Sequence, residues 1–320
     1  MKNAFRAEIK TKGGRQTTAR HIMNDGMSMT PEDLLSENTA ADSSTADIAA
    51  ADGTAPKHIT ADGSEAPTYN STAETRAAQC SIGWNPWHGC TKISPGCLNC
   101  YVYRRDETFG ISDRSGTCRK TSAFSLPRKR RRDGSLRIAP GSTVMTCFTS
   151  DFLLPDADEW RGECWDMMRE RRDCRFVFFT KRIDRLDRCL PSDWEDGYEN
   201  VTIGCTVENR QMAEYRLPIF LSQPLRHRII VAEPLLESLD ISRYLGGVDE
   251  VIVGGESGDG ARCCDYAWVL DLRRQCIEHG TAFSYHQTGA RLIKNGRIYN
   301  IPRVHQLSQA KRARIDWSAR

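Results

Sequence analysis

The sequence predicts an α/β protein: an incomplete parallel (β/α) barrel of about six strands, preceded by a disordered N-terminal tail. Three observations carry that expectation. Short β-rich apolar runs recur at Thr143 to Phe148, Arg175 to Phe179, Val201 to Cys205, Arg228 to Ala232, Glu250 to Val253 and Ala282 to Tyr285. Longer segments separate the runs at intervals of roughly 20 to 35 residues, which is the pattern of βαβ units with right-handed crossovers. Each run is followed by polar or charged residues, which a parallel sheet would gather on one rim. An open doubly wound sheet satisfies the same pattern, so strand count alone leaves both architectures open.

The tail comes first. Residues 1–78 carry no Cys and no Trp, and from Asn38 onward are mainly Ala, Ser, Thr, Asp and Gly. Such a composition buries too little apolar area to offset chain entropy. The near-repeat of Ala51 to Pro56 in Ala61 to Pro67 strengthens the expectation of disorder. One short helix is expected at Thr30 to Leu35, capped by Thr30 with Pro31 at its first position. Residues 79–320 are then the folded unit. Within it, Asp156 to Arg172 reads as a helix with Asp156 and Glu159 at capping-box offset and Trp160, Cys164, Met167 and Met168 on one face. A second helix is expected at Asp265 to His279, burying Trp268, Leu272 and Cys276 and ending at Gly280.

Composition bounds the functional classes. With 39% apolar residues over 320 positions, the chain has enough to fill a core. It shows no export signal and no apolar run long enough to cross a bilayer, so a soluble cytoplasmic protein is expected, with no membrane partner. Thirteen cysteines are then reduced thiols rather than a disulfide framework. Cys147, Cys164, Cys174, Cys205 and Cys276 fall in apolar segments and read as small hydrophobes. A net charge of +3 does not by itself imply nucleic acid. The run Arg128 to Arg132 is the local exception, a candidate phosphate contact set against the commoner solvated loop.

Cys90, Cys97 and Cys100 stand in one loop stiffened by Pro86 and Pro95. Three thiolates so spaced can grip one metal centre. Structural zinc wants four protein ligands, and the fourth would have to be His88, Cys80 or Cys118, none at a convincing spacing. A [4Fe-4S] cluster on three cysteines leaves one iron free for a small molecule. Iron–sulfur, zinc and no metal all stay open on the residues alone. At the strand ends stand Ser150 and Asp151, then Thr180, Lys181 and Arg182, then Glu208, Glu233, Gly254, Gly255, Glu256 and Ser257, and finally His286. Any one of them could simply cap the next helix. Six sets in register point to a ligand-binding mouth. The glycines allow close backbone approach to a ligand, and Glu256 can accept from an amine or ribose hydroxyl.

The stretch Trp84-Asn-Pro-Trp-His-Gly-Cys-Thr-Lys-Ile-Ser-Pro-Gly-Cys-Leu-Asn-Cys-Tyr101, with Phe148 to Phe152, Phe179 to Arg182, Cys205 to Asn209, Glu233 to Leu236 and Val253 to Gly258, resembles a phage-encoded family. That family, the phage protein Gp thirty-seven/Gp sixty-eight family, is radical-SAM-like, has a three-Cys motif and is of unknown function. The likeness runs from about Ser81 to the C-terminus. It implies Cys90, Cys97 and Cys100 as ligands of a [4Fe-4S] cluster and S-adenosyl-L-methionine as co-substrate. It also implies a separate three-Cys-motif partner protein. By the same analogy Ser150, Asp151, Glu208, Glu233, Gly254, Gly255, Glu256 and Ser257 would hold S-adenosylmethionine, while Thr180, Lys181 and Arg182 would meet an anionic substrate; nucleic acid, nucleotide and peptide all stay open as the substrate class. Radical-SAM enzymes usually show C-x3-C-x2-C with an aromatic before the last cysteine; here the first gap is six residues and Asn99 takes that place. Two other classes compete: a non-catalytic, zinc-stabilised nucleic-acid-binding module contacting phosphates through Arg128 to Arg132 with Lys311, Arg312 and Arg314, and a zinc- or carboxylate-dependent hydrolase using Asp151, Glu208 and Glu256. The second lacks a recognisable metal-ligand pair.

Overall fold

The structure, a computed structural model, describes residues 81–319. The expected tail, its short helix and Cys80 lie outside the described residues. Seven parallel strands form one sheet: β1 (Ser81–Trp84), β4 (Thr143–Thr146), β5 (Arg175–Thr180), β6 (Val201–Thr206), β7 (His227–Ala232), β8 (Glu250–Gly254) and β10 (Ala282–Gln287). The short strands β2 (Trp87–His88) and β3 (Arg119–Lys120) pair with each other, and β9 (Cys264–Asp265), β11 (Arg291–Lys294) and β12 (Arg297–Asn300) make a small third sheet.

The spatial order β1-β4-β5-β6-β7-β8-β10 follows chain order without reversal. A doubly wound sheet would reverse at a switch point. Each strand is therefore added on the same side of the last, which is the wall of a partial barrel. All six predicted runs are strands. β1 is the seventh; only four residues long and containing a glycine, it gave no apolar run to read.

Among the described residues six α-helices accompany the strands: α1 (Tyr101–Thr108), α2 (Asp158–Glu170), α3 (Leu186–Cys189), α4 (Arg210–Ser222), α5 (Tyr266–His279) and α6 (Arg303–Arg312). In α2, Cys164, Trp165, Met167 and Met168 face the core, with Trp160 packed at its margin. The expected capping box is absent. Asp156 lies in a 3-10 turn (Pro155–Ala157), and the cap position is Ala157, because Pro155 starts a tighter turn first. The α5 expectation holds at both ends and in the burial of Leu272 and Cys276, whereas Trp268 is only partly buried at the core margin. Asp265 accepts from the Ala267 N–H at 2.9 Å, and Gly280 takes the left-handed cap conformation. Asn209, a strand-end residue in the sequence, caps α4 through the Met212 N–H at 2.9 Å.

The core lies between sheet and helices. β6 is buried along its whole length, as a central parallel strand covered on both faces must be. Trp165 packs edge-on to Phe152 and Phe178, and Trp84 to Phe176. Cys147, Cys164, Cys174, Cys205 and Cys276 are all buried. The β10 edge is blunted by the C-terminal segment. Phe283 and Trp317 exchange both backbone hydrogen bonds, at 2.7 and 2.9 Å. No helix among the described residues is long and apolar enough to cross a membrane.

The basic run is a tight hairpin with its own partners. Arg128 forms a two-pronged pair with Glu170 at 2.6 and 2.7 Å. Arg130 and Arg131 donate to backbone carbonyls of Gly134, Leu136 and Arg137 within the same turn.

Candidate functional site

The three-cysteine loop crosses the carboxyl rim of the barrel, and its course follows from a few fixed points. Trp84 and Trp87 are fully buried, their indole N–H groups donating to the carbonyls of Ala123 and Phe124 and of Asp151. Both rings thus pack the base of the loop. Gly89 has φ +94°, and a Cβ there would sit 2.1 Å from the Thr117 carbonyl oxygen, so only glycine lets the chain turn at this point. The Cys90 N–H then donates to Ser115 O at 2.9 Å. A 3-10 turn (Pro95–Cys97) follows, and Cys100 is the residue immediately before α1.

The rim groups that the sequence brings to the strand ends close on this loop. At the end of β5, Arg182 donates to Thr91 O at 2.7 Å and Thr91 Oγ1 at 2.8 Å, approaches Cys90 Sγ at 3.5 Å and pairs with Asp151 at 3.1 Å. Asp151 also accepts from Thr180 Oγ1, the Lys181 N–H and the Leu153 N–H, at 2.8 to 3.0 Å. Ser150 Oγ donates to Gly89 O at 2.5 Å.

Beyond β6, Glu208 accepts the Gly96 N–H at 3.0 Å and Arg216 at 2.8 Å, wholly out of contact with water. A Cβ on Gly96 would meet the Glu208 carboxyl carbon at 2.9 Å, so the glycine is what admits the carboxylate to the loop backbone. Beyond β8, Glu256 accepts from Asn99 Nδ2 at 3.0 Å and from the N–H and guanidinium of Arg262, which in turn reaches Pro95 O at 3.0 Å. Asn99, standing where radical-SAM enzymes usually carry an aromatic, also donates to Gly260 O at 2.8 Å. Arg104 ties Asn99 O to Ser257 Oγ, at 2.7 and 3.0 Å.

Asp151, Thr180, Arg182, Glu208, Glu256 and Ser257 therefore share one rim; Arg182, Glu208 and Glu256 bond the loop directly, Asp151 and Thr180 hold Arg182 in place, and Ser257 acts through Arg104. Gly254 and Gly255 were expected to let a ligand approach the backbone. The close neighbours are instead protein: Glu233 beside Gly254 and the Thr288 carbonyl beside Gly255. The Lys181 side chain is half-buried and near enough to Glu208 to help keep it ionised. The Glu233 carboxylate makes no bond to the loop or to Arg182 among the described residues, its partners being His286 and Gln287. The sequence held no signal for the anchoring roles of Asn99, Arg104 and Arg262, because they reach Glu256, Ser257 and Pro95 far along the chain, and Arg216, though only 8 residues from Glu208, carries no local motif that marks the pair.

Electrostatics follow from burial. Desolvation, reinforced by Asp151 and opposed by Arg182, pushes the Cys90 thiol up to about 12. Burial alone would raise Glu208, but Arg216, Lys181 and hydrogen bonds from Ser94 and Gly96 hold it below the ordinary carboxylate value. The Tyr103 phenol is raised by burial and then by Cys90, Cys100 and Cys97, and its hydroxyl donates to the Cys90 carbonyl. A cleft of about 400 Å³, lined by Lys92, Leu98, Cys100, Tyr103, Arg104 and Glu107, reaches Cys100 from outside.

The donor set suits a cluster in its chemistry: three reduced thiols, half-buried, on a loop fixed from several strands. Among the described residues, no three His, Cys, Asp or Glu side chains, Cys90, Cys97 and Cys100 included, are gathered closely enough to hold a single metal ion. Zn–S bonds of about 2.3 Å would bring tetrahedral sulfurs to about 3.8 Å from one another. In a cubane each thiolate binds a different iron, and the sulfurs stand farther apart. His88, a candidate fourth ligand, is turned to Asp106, which meets its Nε2 at 2.9 Å. Cys118 is half-buried, and burial raises its thiol to about 11.

No curated protein and no solved structure matches the chain. A family model described as "Protein of unknown function (DUF5131)" matches residues 74–314, most of the chain, and the protein belongs to that family.

Proposed function

We propose that this is a radical-SAM-like iron–sulfur protein of the phage or prophage type, acting on an anionic, nucleotide-like substrate. One observation carries the reading: a loop with three free thiols is pinned across the barrel rim by Asp151–Arg182, Glu208 and Glu256, and among the described residues the candidate fourth ligand His88 is turned instead to Asp106. A structural zinc site closes with four ligands; a cluster meant to bind a small molecule leaves one corner open. Cys90, Cys97 and Cys100 would hold a [4Fe-4S] cluster. When bound, it would supply one electron for reductive cleavage of S-adenosylmethionine.

This chain's own residues do the rest. Arg182 and Glu208 fix the two ends of the loop, so that little ordering remains to be done on cluster binding. Cys90, protonated in the free protein, must release its proton as it becomes a ligand, and the Arg182 guanidinium at 3.5 Å favours the resulting thiolate. Glu233, free of the loop, is the rim carboxylate left to meet a ligand.

The test is anaerobic reconstitution with iron and sulfide, followed by reductant and S-adenosylmethionine and an assay for 5′-deoxyadenosine. The expected result is a brown protein with about four irons that forms the product, both lost in Cys97→Ala. Protein that carries one zinc, takes up no iron and shows no chromophore overturns the reading.

A further inference from the structure

The Glu233–His286 pair on the rim is unused by the loop, and three local departures from regular structure build it. β10 carries a bulge. Tyr285 pairs with Val253 and Gln287 with Gly254, which leaves His286 as an extra residue between them. In a regular strand consecutive side chains point to opposite faces, whereas here both His286 and Gln287 reach the same carboxylate. The neighbouring strand ends in Gly254, where a Cβ would lie 2.7 Å from the Glu233 carboxyl carbon. Bulge, glycine and carboxylate are thus fitted to one another.

The result is an imidazole aimed outward. Nδ1 donates to Glu233 Oε2 at 2.8 Å, and Nε2 has no hydrogen-bond partner among the described residues; half the side chain is exposed. Glu233 occupies Nδ1, so the proton-bearing form presents Nε2–H to whatever enters the mouth. Lys311 stands exposed on α6, the helix packed against β10, and its charge acts on the ring. Tyr101 of α1 lies beyond Glu233. With Glu233 matched to His286, Lys311 leaves one positive charge in excess.

We propose that His286 and Lys311 form a binding site for the anionic oxygens of a phosphate or carboxylate ligand, with Glu233 as the residue that orients His286. The hydrogen bond that Nδ1 donates to Glu233 raises the imidazole above its ordinary value, which keeps the donor form populated nearer neutral pH. The site needs neither a cluster nor S-adenosylmethionine.

The experiment titrates metal-free protein with sulfate, methyl phosphate and acetate by calorimetry at pH 6.0, and follows the His286 ring resonance. Sulfate is the reference because it does not change charge between pH 5.5 and 8.5. His286→Gln is expected to weaken sulfate binding about tenfold, the worth of one charged hydrogen bond, and Lys311→Met to weaken it by less. Affinity should fall as pH rises through the imidazole pKa, and Glu233→Gln should move that fall to lower pH. Tighter binding of methyl phosphate or of acetate assigns the ligand class. Equal sulfate affinity in wild type and His286→Gln, or affinity flat across that pH range, overturns the proposal. Should His286→Gln fail to fold, a wild-type His286 resonance that does not move on sulfate saturation overturns it equally. Because the probes bypass the metal, Cys97→Ala is expected to bind sulfate normally, so failure of the cluster reading and failure of this one are told apart.

Discussion

Glu208→Gln is the sharpest test of the loop-clamp argument. The wild-type carboxylate is fully buried, accepting from the Gly96 N–H at 3.0 Å and from Arg216, itself 2% exposed, at 2.8 Å. A glutamine amide has the right size but only one acceptor oxygen. If that oxygen meets Gly96, its NH2 faces the Arg216 guanidinium, donor against donor; if it meets Arg216, the NH2 faces the Gly96 N–H. Either way one bond is lost and Arg216 is left charged and buried without its counter-ion. Arg216 Nε already lacks a partner, so the loss is not absorbed locally. Breaking a buried pair on one side costs about 3–5 kcal/mol. For an ordered region of this size each kcal/mol is worth roughly 2–4 °C, so the melting temperature should fall by about 10 °C. The loop should loosen as well, seen as faster alkylation of Cys97 by mass spectrometry. A shift below about 2 °C with unchanged Cys97 labelling would refute the claim that Glu208 carries the loop. The pH sign is fixed too. A carboxyl held below its unfolded value contributes stability above that value and loses it as pH falls through the folded one. Wild type should therefore lose stability on acidification below about pH 4.5, and Glu208→Gln should lose less over the same window.

Other consequences follow from the same structure. Gly255→Ala puts a Cβ 2.3 Å from the Thr288 carbonyl oxygen, backbone against backbone, and should cost about 1–3 kcal/mol or more in a thermal melt. Gly162→Ala, in α2 with nothing near the new methyl, should instead stabilise by about 0.5–1 kcal/mol; a loss there would mean α2 is packed differently. In metal-free protein at pH 8, the Cys90 thiol, pushed up to about 12, should alkylate far more slowly than a free cysteine, and complete labelling within minutes would contradict its burial beside Asp151. Phe178→Ala removes a fully buried ring packed against Phe152 and Trp165 and should cost about 3–5 kcal/mol by chemical denaturation.

Periodicity and composition decide which stretches become strands and helices, and these were legible in the chain. The six apolar runs, the α5 helix with Asp265 and Gly280 at its ends, and the buried cysteines need only local pattern, because burial on a sheet face and helix capping are short-range demands. So was the gathering of polar groups on one rim, since parallel strands must end on the same side. What those groups bond to was settled only in three dimensions. Whether Glu208 meets a ligand or Gly96 depends on a contact 112 residues apart, and Asn99 finds Glu256 across 157. Choosing a partial barrel over a doubly wound sheet likewise depended on strand order, which no local propensity encodes. Side-chain chemistry belongs to the residue, but a partner belongs to the fold, because buried polar groups must be satisfied by whichever group the packing brings within 3 Å or so.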